Sequence, residues 1–314
     1  MKVAVDVGAI CSKKYFGTYT FTENFVQALQ KYDRVNKYLY YSFCFSNQIS
    51  SVIKLPSNLF SFWGMFDDVV LVLNQQPPRL TRGKIISFSH GLSYRYFPEL
   101  YSKNDVARLE KQLSEMIKRA DIIVVSSQKV KDELSTMYQY IEKRVMVLPF
   151  GIPFDMENKV RVVKSVKLKD KQKYFLYVGM DHVIKNVEFI KKVFNEFIQD
   201  ENYKNYELKI ISDNISRVEL KKLYQNATAL LTASHYESFN FPVLEALVND
   251  CPVIGLKSAI IPEMKEFVNI CDNNIDNFVS KMKIVCYKKQ VINHKKLINI
   301  FSWKKYIEEL VKFF

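Results

Sequence analysis

Glycine and proline are scarce in this chain. Eight glycines and nine prolines among 314 residues leave no room for the tracts that make flexible linkers. Long apolar runs are missing too. No stretch of about 18 uncharged apolar residues occurs, so no membrane-spanning helix is expected, and any membrane contact would be peripheral. The opening Met1-Lys2-Val3-Ala4-Val5-Asp6-Val7 lacks the apolar core of a secretory leader and reads as a first strand. The five cysteines, Cys11, Cys44, Cys251, Cys271 and Cys286, form no CxxC and no cysteine–histidine metal spacing. Their odd number and apolar neighbours predict buried thiols in a reducing, cytoplasmic compartment, with the inner face of the membrane also open to the chain.

Acidic residues are outnumbered as well. Lys and Arg total 46 against 33 Asp and Glu, a net charge of +13. The excess is spread along the chain: residues 1–150 hold 20 basic and 13 acidic residues, and the remainder 26 and 20. A distributed positive field favours phosphates or acidic headgroups, and equally describes solvated surface. No basic helix, RNA-binding aromatic run or zinc spacing points to a nucleic-acid partner.

What is present is an alternation. Short β-branched runs (Val3–Val7, Leu39–Phe45, Val69–Leu73, Ile85–Ser89, Ile122–Ser126, Val145–Leu148) read as buried strands. Amphipathic stretches at Thr20–Lys31, Asp105–Arg119 and Lys129–Tyr138 read as helices between them. A second series follows the Pro149-Phe150-Gly151-Ile152-Pro153 punctuation and the polar stretch 164–173. Its strands are expected at Phe175–Val178, Leu208–Ile211, Ala229–Leu231 and Val253–Gly255. Its helices are expected at Val187–Gln199, Arg217–Gln225, Pro242–Val248, Phe278–Lys289 and Trp303–Phe313. Two such series predict two α/β domains with parallel sheets: residues 1–155, joined by the closing helix at about 303–314, and residues 156–302. In such sheets ligands sit at the carboxyl ends of the strands.

Chemistry concentrates in His235-Tyr236-Glu237-Ser238-Phe239-Asn240-Phe241-Pro242-Val243-Leu244-Glu245. A strand runs into a loop, and a helix begins at a favourable first-turn proline. Unpaired amides at a helix start suit a diphosphate. Glu237 in the loop and Glu245 in the helix are each able to accept hydrogen bonds from a diol. This segment resembles family 4 of the retaining glycosyltransferases. The matching positions are Leu223-Tyr224, Ala227, Ser234, Glu237, Phe239, Pro242, Glu245-Ala246 and Pro252-Val253-Ile254, with the two glutamates in that family's E-x7-E spacing. Tyr177-Val178-Gly179 followed by Ile184-Lys185-Asn186 is similar to its glycine turn and phosphate-binding lysine. Ser89-His90-Gly91 is similar to its His-Asp site, Phe16-Gly17-Thr18 to its first glycine loop, and Phe301-Ser302-Trp303 to the start of its closing helix.

The resemblance implies the GT-B fold, two Rossmann-like domains whose parallel sheets face a central cleft. It implies transfer of a sugar from a nucleotide diphosphate sugar to a saccharide, lipid-linked or protein-linked hydroxyl acceptor, without a metal or other cofactor. Glu237 is expected to position the sugar, Lys185 and the amides of Ser238, Phe239, Asn240 and Phe241 to hold the diphosphate beside Gly17 and Gly179, Glu245 to bind ribose, and His90 to orient sugar or acceptor. Departures stand beside these matches. Met180 replaces the family's arginine, with Arg217 and Lys257 as candidate substitutes. Asn240 replaces a glycine, tolerating positive φ but bringing a side chain next to the phosphates. Asp250-Cys251 stands where a glycine precedes Pro-Val-Ile, and one βα unit after Leu208–Ile211 is expected to be deleted. These departures also allow a non-catalytic GT-B partner subunit that has lost donor chemistry. Basic Arg79, Arg82, Lys84 and Arg95 with Tyr94, Tyr96 and Phe97 are candidates for membrane contact.

Overall fold

The computed structural model describes residues 1–11, 17–44, 52–55, 62–74, 76–157, 172–213, 215–288 and 290–314. Phe16 and most of the polar stretch 164–173 lie outside the described residues. Chain contacts divide the molecule into unit 1, Met1–Gly151 with Ser302–Phe314, and unit 2, Ile152–Phe301.

Unit 1 contains the strands β1 (Lys2–Asp6), β2 (Lys37–Ser42), β3 (Val52–Lys54), β4 (Val69–Val72), β5 (Lys84–Ser89), β6 (Ile122–Val125) and β7 (Val145–Val147). They pair in parallel in the order β3-β2-β1-β4-β5-β6-β7, reversing direction of progress between β1 and β4. The helices are α1 (Gly17–Tyr32), α2 (Ser93–Tyr96), α3 (Lys103–Arg119) and α4 (Gln128–Met137). The central strands are apolar on both faces because helices cover both: Val69–Val72 and Ile123–Val125 are all buried. Caps set the helix bounds, as where Ser102 Oγ accepts the Asp105 N–H at the start of α3.

In unit 2, β8 (Tyr174–Val178), β9 (Glu207–Ile211), β10 (Ala229–Thr232), β11 (Val253–Leu256) and β12 (Asn269–Cys271) form a parallel sheet in the order β12-β11-β10-β8-β9. Around it lie α5 (Val187–Phe197), α6 (Arg217–Asn226), α7 (Phe241–Val248), α8 (Ile275–Tyr287) and α9 (His294–Ile300). The doubly wound order 3-2-1-4-5-6 has a further strand outside its second one. Here β9 is the outer strand and passes through residues 212–216 into α6, so that strand is absent among the described residues.

The closing helix α10 (Trp303–Leu310) belongs to unit 1, where it packs on α1. Phe21, Phe25, Phe88, Phe150, Trp303 and Tyr306 form one aromatic cluster. Gly151 lies against the Trp303 ring, where an added Cβ would stand 2.3 Å from Cγ.

The cysteine expectation needs correction. Cys11 and Cys44 form a disulfide, while Cys251, Cys271 and Cys286 remain thiols. β1 and β2 are parallel neighbours, so residues just past their carboxyl ends converge. The Cα atoms of this pair are 5.8 Å apart, within bridging range, although 33 residues separate them in sequence.

Candidate functional site

The reversal in unit 2 lies between β8 and β10, which pair directly, and the loops leaving their carboxyl ends carry the expected donor-site residues. After β8 the chain turns at Gly179, whose N–H donates to Ile211 O at 3.1 Å. A Cβ here would lie 2.7 Å from the Tyr177 hydroxyl, which itself reaches Met180 O. His182 then caps a single 3-10 turn, Val183–Lys185, by accepting the Ile184 N–H on Nδ1. Ile184 O accepts the His235 N–H at 2.8 Å, joining this turn to the loop after β10.

That backbone bond brings Lys185 to Glu237, 52 residues away in sequence. Lys185 Nζ donates to Glu237 Oε1 at 2.7 Å, and Ser234 Oγ donates to the same oxygen at 2.7 Å. The pair is mostly buried, with 23% and 11% of the two side chains exposed. Ser234 is itself fixed, since its carbonyl accepts from Ser258 Oγ at 2.7 Å. Burial, with the charges of Glu237 and Asp181, raises the Tyr177 phenol, so Tyr177 stays neutral beneath the pair.

Ser238, Phe239 and Asn240 follow Glu237 and lead into Phe241, the first residue of α7, with Pro242 second. Asn240 is left-handed, φ 77°, as its glycine-like position requires. Its side-chain amide is bonded within the fold. Nδ2 donates to Ala259 O at 3.1 Å and Thr232 Oγ1 at 3.3 Å, tying the helix start to the segment after β11. Asp250, at the other replaced glycine, is also left-handed, φ 56°, and its carboxylate accepts from His294 Nε2 at 2.8 Å.

Glu245 lies deeper. Only 4% of its side chain is exposed, against 31% for Arg217. Arg217 Nη2 donates to Oε1 at 2.7 Å, and the Tyr224 hydroxyl donates to Oε2 at 3.0 Å. Arg217 also grips Asp155 with Nε and Nη2 at 2.6 and 3.1 Å. Burial holds the Glu245 carboxyl above its ordinary range, against the pull of Arg217 and Tyr224. Burial works against the Arg217 charge too, but Glu245 and Asp155 raise its pKa. Arg217 is therefore shared between two carboxylates. Lys257 lies exposed immediately after β11.

Unit 1 holds the remaining expected residues. Gly17 is the first residue of α1 and is exposed. His90 follows β5, and Gly91 turns the chain at φ 107°, a conformation that requires glycine. His90 Nε2 is 2.7 Å from Leu73 O; a carbonyl only accepts, so Nε2 carries the proton and Nδ1 is the acceptor. The rings of Phe21 and Phe150 stand 5.3 and 6.3 Å away, and burial lowers the His90 pKa, keeping the imidazole neutral. The proposed membrane patch is split. Arg79, Arg82 and Lys84 lie at the amino end of β5, while Tyr94, Arg95, Tyr96 and Phe97 follow its carboxyl end. Tyr94 is buried, and Arg95 is bound to Glu110.

Three partners escaped the sequence reading: Asp155, Ser234 as a donor to Glu237, and Ala259 as the anchor of Asn240. Ser234 was visible in the Ser-x-x-Glu spacing. Asp155 gave no local signal, being 62 residues from Arg217.

No protein-family profile matches the sequence. The chain is 26% identical over 184 residues to a probable sucrose-phosphate synthase of Thermosipho melanesiensis, covering 45% of this chain and 40% of that one. It is 27% identical over 188 residues to O-antigen chain mannosyltransferase RfbU of Salmonella typhimurium, covering 52% and 50%. The chain thus spans about half the length of the curated relatives it matches. Among solved structures, Anabaena Alr3699/HepE in complex with UDP and glucose superposes with a TM-score of 0.70 at 12% identity, covering 99% of this chain and 98% of that one. The lipopolysaccharide outer core galactosyltransferase WaaB gives 0.66 at 15% identity, covering 99% of each. The chain has the GT-B glycosyltransferase fold, and the resemblance to family 4 extends to these relatives.

Proposed function

We propose that this chain is a retaining glycosyltransferase that moves a sugar from a nucleotide diphosphate sugar to a hydroxyl acceptor in glycan or cell-surface polysaccharide assembly. One observation carries the reading: Lys185 and Ser234 converge on Glu237 beside the amino end of α7. That arrangement sets a cation, a carboxylate and the start of a helix together at the switch point of a parallel sheet. The O-antigen mannosyltransferase relatives and the UDP–glucose complex of HepE support the same chemistry.

In this reaction the bond from the anomeric carbon to the diphosphate oxygen breaks, and a bond to the acceptor oxygen forms on the same face. The acceptor proton passes to the departing phosphate. Lys185 and the amides of residues 238–241 offset the charge that grows on the diphosphate, so no metal is needed for that task. Glu237 holds sugar hydroxyls, and Ser234 fixes the carboxylate from behind. Ribose binding at Glu245 exchanges a hydrogen bond from Arg217 or Tyr224 for one from the diol. His90, neutral with Nδ1 accepting, orients a hydroxyl of sugar or acceptor. The acceptor is a saccharide, free or linked to lipid or protein.

The test is binding and turnover with UDP-, GDP-, ADP- and dTDP-sugars, read by calorimetry and released nucleotide. Lys185→Ala is expected to lower kcat/KM by about 10²–10³-fold, the scale of losing one charge-stabilising donor. Neither binding nor turnover with any donor would refute the proposal.

A further inference from the structure

All strands of unit 1 are parallel, so their amino ends share one edge, opposite the edge from which His90 emerges. Backbone bonds make that edge continuous. Lys37 N–H donates to Met1 O, Asp68 N–H to Lys2 O, Lys84 N–H to Asp68 O and Asp121 N–H to Ile85 O, all at 2.8–2.9 Å. From β2 to β6 it is about 20 Å wide, at roughly 4.8 Å per strand.

Its side chains are unevenly charged. Lys2, Lys37, Arg79, Arg82, Lys84 and Lys118 are exposed, and none forms a salt bridge to a described residue. The carboxylates beside them accept backbone hydrogen bonds. Asp33 accepts the Val35 N–H, Asp68 the Lys2 N–H and Asp121 the Ile85 N–H, at 2.7–2.9 Å. Large apolar groups stand out among these cations: Val35 is 88% exposed, Phe66 78% and Leu80 53%.

The scaffold beneath is cross-linked by hydrogen bonds. Trp63 is buried in the core, and Gly64 is left-handed, φ 65°, where an added Cβ would stand 2.9 Å from Ala4 Cβ. Thr81 Oγ1 donates to Gly64 O at 3.0 Å, locking the Phe66 loop to the Leu80 loop. The Arg119 guanidinium binds the carbonyls of Pro77, Pro78 and Arg79. Phe66 and Leu80 are thus held in water by their neighbours, in a field that attracts anions.

We propose that this amino edge of unit 1 docks on an anionic lipid surface, with Phe66 and Leu80 entering the headgroup region and the six cations facing the phosphates. Exposed apolar groups rimmed by cations with no salt bridge among the described residues fit a charged interface with an apolar interior better than they fit a soluble anion, which would use the charges alone. The inference is independent of the transfer reaction, since it concerns the opposite edge from His90.

The experiment is co-sedimentation of the full chain with phosphatidylcholine vesicles, with and without phosphatidylglycerol. The wild type is expected to bind the anionic vesicles, and to release as salt rises. The combined R79Q, R82Q and K84Q substitutions are expected to weaken partitioning by about a hundredfold, at roughly fivefold per charge. F66S with L80S is expected to weaken binding while leaving its salt dependence intact. All altered positions are exposed, and unchanged tryptophan fluorescence certifies the fold of each variant. Equal wild-type binding to both vesicle types, or to neither, overturns the proposal. So does unchanged binding by the triple variant, or full salt dependence with no loss in F66S/L80S, which would mark a soluble polyanion as the partner.

Discussion

Replacing Glu245 by alanine tests the buried network of unit 2. The carboxylate is 4% exposed and serves both Arg217 and the Tyr224 hydroxyl. Removing one partner of a buried pair costs about 3–5 kcal/mol. Arg217 keeps its two bonds to Asp155 and is 31% exposed, which brings that part of the loss down to roughly 1–2 kcal/mol. Tyr224 is fully buried and loses its acceptor, adding about 1–3 kcal/mol. The expected sum is about 2–5 kcal/mol, or roughly 4–20 °C in the midpoint of a unit this size. Glu245→Gln preserves the shape and one oxygen acceptor, and is expected to lose about half as much. Both tryptophans, Trp63 and Trp303, are in unit 1. Far-UV circular dichroism should therefore record the loss, while tryptophan fluorescence moves less. A midpoint for Glu245→Ala within about 1 °C of wild type would refute the argument, as would equal shifts in both signals. The glutamine variant also separates roles: if it folds yet loses nucleotide affinity, Glu245 contacts ribose as well as Arg217.

His90 makes unit 1 sensitive to acid. Its folded pKa lies below the ordinary 6.5, because burial disfavours the cation. Between the folded value and 6.5 the unfolded chain binds more protons, so stability is expected to fall as pH drops below about 6.5. Tryptophan-detected unfolding against pH should show this slope, and His90→Gln should flatten it. Asn240→Ala is expected to cost about 2–3 kcal/mol in thermal unfolding, from left-handed strain and two lost hydrogen bonds. Asn240→Gly, free of the strain, should cost about half that. Alkylation of the unfolded, unreduced protein should label three cysteines, and five after reduction; five labels without reductant would contradict the Cys11–Cys44 bond.

Local patterns determined much of this protein. Alternating β-branched runs and amphipathic stretches located ten of the twelve strands among the described residues, because each pattern is written in consecutive residues. The exceptions, β3 (Val-Ile-Lys) and β12 (Asn-Ile-Cys), each include a polar residue in only three, unlike the equally short Val-Met-Val of β7. The same holds for the segment 235–245, since a loop carboxylate and a helix start are both local features. Tertiary structure decided what those residues touch. Arg217 meets Asp155 and Glu245, Asn240 turns its amide to Ala259, and Cys11 reaches Cys44, each across a span of chain that no short pattern covers. The basic amino edge of unit 1 is likewise invisible in sequence order. It exists because five parallel strands begin side by side, while the carboxylates among them accept hydrogen bonds from backbone N–H groups.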